Sequence, residues 1–154
     1  MNIKFNHIQD LGDARYAAAM LANYIGFAID GEFAVAPATV QEIIGWCAGP
    51  KLILEIHETP DISKIQSWID VLPVDGIECS QNHVEMLKSQ FDHLNLEWLI
   101  LNNTFPIITP SKESAQTVLN QSIDTFSIDC FKETQLGQKD YELWNDFFDL
   151  LDLP

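Results

Sequence analysis

The stretch KLILEIHETPDISKIQSWIDV, residues 51–71, contains the repeating unit that determines the fold. The aliphatic run at 51–56 is typical of a buried strand. Residues 61–71 have the apolar spacing of an amphipathic helix. Between them, Thr59 offers a hydroxyl for an N-cap, and Pro60 is suited to the first helical position. This segment therefore predicts one strand followed by one helix.

The same unit recurs along the whole chain. The predicted strands are residues 2–5, 24–29, 51–56, 75–79, 96–101 and 124–130. The helices predicted to follow them are residues 12–21, 38–47, 61–71, 83–91, 112–121 and 141–151. Alternating strands and helices joined by short loops indicate a parallel sheet with right-handed crossovers, as a barrel or as an open sheet.

Helix starts have their own signals. Thr109 and Pro110 repeat the threonine–proline pair of the earlier loop, and Asn82 with Glu85 has the spacing of a capping box. Asp10 is placed to cap the first helix. We therefore predict N-caps at all of these positions.

Composition restricts the classes of function. The 154 residues suffice for one domain, residues 1–154, and the 23 acidic and 8 basic residues give a net charge of -15. This balance argues against a nucleic-acid partner, which requires clustered Lys and Arg. The sequence has no apolar run long enough for a membrane span and no signal peptide, and Cys47, Cys79 and Cys130 have no disulfide or metal spacing. We expect a cytoplasmic protein with buried thiols.

Several short segments form a recognisable pattern. They read KFNHIQDLGDA at residues 4–14, AAAMLANYIGF at 17–27, VAP at 35–37 and DTFSID at 124–129. The pattern resembles phosphoribosylanthranilate isomerases, whose opening reads KICGITxxEDA and whose sixth strand reads DAFLLD. The resemblance is most specific in the amino-terminal part, and in the middle it follows only the order of strands and helices.

The resemblance implies an α/β fold of the TIM-barrel type, a (β/α)8 barrel whose phosphate site follows strands 7 and 8. A full barrel usually needs at least about 200 residues. With six units, this chain is expected to be an incomplete or closed-up (β/α)8 barrel that ends after the sixth unit and lacks the phosphate-binding strands. Such a fragment leaves a gap between its first and sixth strands, unless those two strands meet.

The resemblance also implies three candidate catalytic positions for an Amadori rearrangement. The family's base, a Cys, corresponds to Asn6, whose amide cannot accept a proton at neutral pH. Its general acid corresponds to Asp129, which is otherwise a strand-end residue bonded to a loop. His7 could replace the base. However, strand alternation would point His7 away from the direction of Asn6, which favours a loop or cap role.

Candidate substrate-binding residues follow from the same comparison. Phe33 falls where the family has an Arg that would hold an anionic substrate. Glu78 and Ser80 fall in the segment that reads QLHG in many members. None of the three retains the family's residue, so we expect negative potential at the barrel mouth and no affinity for a phosphorylated substrate.

Four strand-end residues could together bind a divalent cation. They are Glu55, His57, Glu78 and Asp129, of which Glu55 and His57 share one face at period 2. Solvated strand ends have the same composition, and the histidines lack a zinc motif. No metal and no cofactor are therefore assigned from the sequence.

Two functions remain open. The first is a non-catalytic binding or structural protein of isomerase descent, with an unknown small-molecule ligand. The second is an active phosphoribosylanthranilate isomerase or related sugar-phosphate isomerase of tryptophan biosynthesis, with its site completed by a partner chain. The wide aromatic face of the last helix, with Trp144, Phe147 and Phe148, together with open strand edges, predicts a homodimer. Alternatively, this helix seals its own barrel.

Overall fold

A computed structural model describes residues 1–130, 139 and 141–153. Six strands alternate with six helices in this part of the chain. The strands are β1 (Asn2–Asn6), β2 (Tyr24–Ala28), β3 (Lys51–Glu55), β4 (Gly76–Cys79), β5 (Glu97–Ile100) and β6 (Thr125–Asp129). The helices are α1 (Leu11–Ala19), α2 (Pro37–Ile44), α3 (Ile62–Ile69), α4 (Gln81–Gln90), α5 (Lys112–Asn120) and α6 (Tyr141–Leu150). Every predicted element is present, and the largest difference is at the end of α2, which stops at Ile44 rather than Cys47.

All strands are parallel, in the order β5-β4-β3-β2-β1-β6. β1 and β6 pair along their whole length, from Asn2 opposite Thr125 to Asn6 opposite Asp129. The prediction of a gap between these two strands is therefore wrong, and the alternative prediction, that the first and sixth strands meet, is confirmed. In a closed eight-stranded barrel the last strand lies beside the first. By position, the missing strands therefore belong between β5 and β6 rather than after β6.

The sheet is curled, so side chains of distant strands meet inside it. The Tyr24 hydroxyl of β2 donates a hydrogen bond to Glu97 of β5 at 2.7 Å. Phe105, from the loop after β5, packs inside against Ile53 and Leu99. The following residues of that loop run beside β6, where Ile107 forms a bridge with Ser127. This loop therefore fills part of the space that the missing strands would occupy.

Alternation along β1 separates two environments. Ile3 and Phe5 point outward into the apolar layer between the sheet and its helices, which is the main core. Lys4 and Asn6 point into the barrel, where both are buried. Because the strand period is two, one five-residue strand contributes both to the core and to the barrel interior.

The aromatic face of α6 is buried within the same chain. Phe147 packs edge-to-face on Phe126 of β6, with ring centroids 5.9 Å apart, and Phe148 stacks on Phe5 of β1 at 6.1 Å. Trp144, Phe147 and Phe148 are at most 5% exposed. The prediction that these three side chains form a dimer interface is therefore wrong, because they cover the outer face of β1 and β6.

A buried carboxylate contacts Lys139 and the first residue of α6. Asp13 of α1 accepts a hydrogen bond from the Tyr141 hydroxyl at 2.8 Å and forms an ion pair with Lys139. Burial raises the pKa of Asp13, although its bonds to Lys139 and Tyr141 lower it in part. These contacts attach the start of α6 to α1.

Most of the predicted helix caps are wrong. α3 and α5 begin after Asp61 and Ser111, whose side chains accept hydrogen bonds from the backbone N–H groups of Lys64 and Ser114. The threonine–proline pairs therefore lie outside both helices, because the residue after each proline is itself a good cap. α4 begins after Ser80 instead of Asn82. At α1 the prediction is confirmed, since Asp10 accepts from the N–H of Asp13.

The cysteines agree with the sequence interpretation. All three thiols are free, with Cys79 and Cys130 buried and Cys47 half-buried. Among the described residues, no helix combines the length and the apolar character needed to cross a membrane.

Candidate active site

A lysine lies at the centre of the barrel interior. The Nζ of Lys4 is 2.5 Å from Oε1 of Glu55, 3.2 Å from Oε1 of Glu78 and 2.5 Å from Oδ1 of Asn6. Lys4 has no exposed surface, and a buried charge of this kind requires such partners. The sequence interpretation missed Lys4. Its position two residues before Asn6, on the same face of β1, is the signal that could have located it.

A glycine provides the space for this ion pair. A Cβ atom on Gly26 of β2 would lie 1.8 Å from Oε1 of Glu55 and 2.8 Å from Nζ of Lys4. Any larger side chain at Gly26 would displace the carboxylate, so the ion pair depends on the close approach that glycine permits.

The two glutamates differ in their acidity. Burial by itself raises the pKa of Glu55, but the charge of Lys4 and the nearby His57 side chain lower it to about 2. Burial also raises the pKa of Glu78, and there the charge of Lys4 only partly offsets burial and the repulsion from Glu55. Glu55 is therefore firmly ionised, and Glu78 holds a proton more readily. Burial lowers the pKa of Lys4, but both carboxylates outweigh that effect and raise it.

His7 lies at the mouth of the barrel, directly after β1. Its φ of 54° is in the left-handed region, which is uncommon for a residue other than glycine. This turn ends the strand alternation, and the backbone N–H of His7 donates to Oε2 of Glu55 at 3.1 Å. His7 therefore does not follow the strand alternation that was expected to point it away from the direction of Asn6. Such backbone strain persists where surrounding contacts impose it, and it is frequent at functional sites.

The His7 ring contacts several side chains at the mouth. Its Nδ1 is hydrogen-bonded to the Asp129 carboxylate at the end of β6. Its Nε2 lies 3.1 Å from Nε2 of His57, and the Phe33 ring packs on it with centroids 4.9 Å apart. Because a carboxylate accepts at Nδ1, the neutral ring has its proton there and presents a lone pair at Nε2.

His57 follows β3 and completes the group. Its backbone N–H donates to Oδ1 of Asp30 at 2.7 Å, and its Nε2 is 3.7 Å from Oε2 of Glu55. The neighbouring Glu55 carboxylate raises the pKa of His57, and partial burial opposes that rise. Its side chain retains 29% exposure, so the group is open to solvent on this side.

The structure brings most of the predicted site residues together. Glu78 contacts Lys4, while Phe33 and Asp129 contact His7. The Asn6 amide accepts from Lys4 and donates to Oγ of Ser127 at 3.0 Å. Ser80 is the exception, since its hydroxyl bonds Nδ1 of His83 at 3.1 Å, on the helix that it precedes.

The fold is similar to solved structures of three phosphoribosylanthranilate isomerases from different organisms. Phosphoribosyl anthranilate isomerase from Thermus thermophilus superposes with a TM-score of 0.68 at 15% identity, covering 99% of this chain and 98% of that chain. N-(5'-phosphoribosyl)anthranilate isomerase from Pyrococcus furiosus gives 0.59 at 14% identity, with 99% and 98% covered. TrpF from Jonesia denitrificans gives 0.55 at 13% identity, with 99% and 97% covered. No protein-family model matches the chain, and no curated protein matches it significantly.

These similarities establish the fold. The chain is an α/β protein of the TIM-barrel type, and its architecture is like that of the phosphoribosylanthranilate isomerases. The alignments run nearly from end to end of both chains, in agreement with β6 lying beside β1. The resemblance assigned Asp129 to the family's sixth strand, whereas β6 has the position of a last strand.

Proposed function

We propose that this chain is an isomerase-like barrel that has lost the isomerase reaction and binds a small molecule at its mouth. The observation that best supports this proposal is the hydrogen bonding of Asn6, which stands where the resemblance places the catalytic base. Its amide oxygen accepts a hydrogen bond from Lys4 and its amide nitrogen donates one to Ser127, so both ends of the amide are hydrogen-bonded within the protein. An amide so held cannot take a proton from a substrate.

Charge at the mouth also supports the loss of a phosphorylated substrate. Three carboxylates lie there, those of Glu55, Glu78 and Asp129. The positive charge of Lys4 is already shared between the two glutamates. An anionic ligand would therefore meet net negative charge, which disfavours its binding.

One observation favours the alternative, an active isomerase. His7 presents Nε2 toward the mouth while Asp129 holds its Nδ1, an arrangement suited to a general base. In this alternative His7 would take the proton from C2, and Asp129 would serve as the general acid to which the resemblance assigns it. The same carboxylate would then have to orient His7 and protonate the substrate, which makes the alternative the weaker of the two.

A fluorescence assay for loss of phosphoribosylanthranilate separates the two proposals. We expect no turnover at high protein concentration, and no binding of a reduced product analogue at millimolar concentration by calorimetry. Turnover abolished by His7→Asn and by Asp129→Asn would overturn the proposal in favour of the active isomerase. His93→Asn is the matched control, because the His93 side chain is 60% exposed and distant in sequence from the site.

The predicted homodimer stays a proposal with a different surface. With the α6 aromatics buried, it rests on the outer edge of β5, which within the described residues pairs with β4 alone. Unpaired strand edges favour pairing with another chain. Light scattering at high micromolar concentration tests it, and a stable monomer would contradict it.

A further inference from the structure

Three metal-binding atoms converge at the barrel mouth. Nε2 of His7 lies 3.1 Å from Nε2 of His57 and 3.8 Å from Oε2 of Glu55, and Nε2 of His57 lies 3.7 Å from the same oxygen. All three atoms lie within 4.8 Å of one another. They come from the ends of β1 and β3, which the curled sheet brings together around the barrel axis.

The separations match a tetrahedral coordination shell. Zinc binds imidazole nitrogen at about 2.0–2.1 Å and carboxylate oxygen at about 2.0–2.2 Å. Tetrahedral angles at those bond lengths place neighbouring ligand atoms about 3.3–3.5 Å apart. The three observed separations bracket this range, so small side-chain rotations suffice to form the shell.

Further contacts orient the side chains of His7 and Glu55 and fix the backbone of His57. Asp129 accepts from Nδ1 of His7, the carboxylate–histidine contact that fixes the tautomer and directs the lone pair of Nε2 toward His57 and Glu55. Lys4 occupies Oε1 of Glu55, which leaves Oε2 facing the imidazoles. Asp30 holds the backbone of His57 through Oδ1.

Electrostatics favours a cation at this point. Nε2 of His7 and Nε2 of His57 face each other at a distance of 3.1 Å. The Glu55 carboxylate lies beside both of them, with Oε2 at 3.8 and 3.7 Å. A divalent cation would satisfy both nitrogens and the carboxylate at once, and two-histidine, one-carboxylate sets are common metal ligands.

We propose that His7, His57 and Glu55 form a binding site for a divalent transition-metal cation, of which Zn²⁺ is the best match. The partly exposed side of His57 leaves the fourth position open to water or to a ligand. The site differs from the set considered from the sequence, because Glu78 is bound to Lys4 and Asp129 lies behind His7. The proposed metal site does not depend on whether the chain retains isomerase activity.

Titration calorimetry with ZnCl₂ on chelator-treated protein tests the site. We expect one equivalent of Zn²⁺ to bind. His57→Ala removes a ligand and should weaken binding at least about 100-fold. Asp129→Asn removes the group that orients His7 and should weaken binding about 10-fold. His93→Ala, which removes an exposed histidine elsewhere, should leave the affinity unchanged. Co²⁺ should give the visible absorption of a tetrahedral site in wild type and not in His57→Ala.

His57→Ala is the main variant because its side chain is partly exposed and its loss leaves the Lys4–Glu55 pair intact. Circular dichroism confirms that each variant is folded before titration. Equal affinity of wild type and His57→Ala would overturn the proposal. So would equal weakening in His57→Ala and His93→Ala, which would indicate surface binding only.

Discussion

The two faces of β1 show how differently one strand can be used. Outward, Phe5 lies among the rings of Tyr16, Trp144 and Phe148, with centroid separations of 5.8 to 6.1 Å. Inward, Lys4 lies among carboxylates. The interior of a TIM barrel is usually filled by branched apolar side chains. Here ionisable groups take part of that place, beside the small interior cluster of Ile53, Leu99 and Phe105, so the apolar stabilisation comes mainly from the outer layer.

The contrast assigns different roles to the two faces. Buried aromatic rings contribute large apolar areas and favourable edge contacts. A buried ion pair contributes little net stability, because desolvation offsets the attraction. Yet removing one member leaves an uncompensated charge, so the interior is intolerant of single changes. Groups retained at such an energetic disadvantage are candidates for function.

The largest effect is expected on the aromatic face. Phe148→Ala should lower the free energy of unfolding by about 4 kcal/mol, through lost burial and the cavity left behind. Urea denaturation measures this change. Leu150→Ala is the control on the same helix, and since its side chain is 48% exposed we expect a change within about 0.5 kcal/mol.

Protein concentration then distinguishes a core residue from an interface residue. The difference between Phe148→Ala and wild type should be the same at low and high concentration. A difference that grows with concentration would show that this ring contacts a second chain and would restore the dimer surface predicted from the sequence.

A smaller loss is expected in the interior. Glu55→Gln should lower the free energy of unfolding by about 3 kcal/mol at pH 7, because the buried Lys4 loses its nearer carboxylate while Glu78 remains. The pKa of Glu55 falls from 4.5 to about 2 on folding, so its contribution is present above pH 4.5 and is lost as pH falls toward 2. The free energies of unfolding of wild type and Glu55→Gln should therefore converge as the pH falls toward 2. A difference that does not depend on pH would contradict the role of the Glu55 charge.

The smallest effect, with the opposite pH dependence, is expected at Glu78. Its pKa is raised above 4.5 on folding, so its contribution is present below that pH and is lost as pH rises through the folded pKa. The free energy of unfolding of Glu78→Gln should therefore differ from that of wild type by less than about 1 kcal/mol at pH 7. Relative to wild type, it should rise as pH increases from 4 to 7. Urea denaturation across that range measures both, with the exposed Glu85→Gln as control. A loss equal to that of Glu55→Gln would show that the two carboxylates are equivalent.

Much of the candidate site was predictable, although its geometry was not. Glu78 and Asp129 were placed near the mouth by their positions near strand ends, and Asn6 by the resemblance; all three lie at or next to the ends of their strands. Phe33 contributes a ring contact to His7, a role that the comparison with a family arginine did not anticipate. Lys4 was overlooked because a lysine within a strand ordinarily faces solvent. In this fold the polar face of β1 is enclosed by the curled sheet.

The sequence by itself determined the strands and helices, because apolar periodicity is a local property that each segment carries without its neighbours. Only the tertiary structure decided that β6 pairs with β1 and that α6 covers both strands within one chain. It also decided the direction of His7, since a positive φ is imposed by the contacts of His7 with Glu55 and Asp129. The physical reason is that periodicity specifies which side chains leave water. It does not specify which strands close the sheet, and closure brings the ionisable groups together.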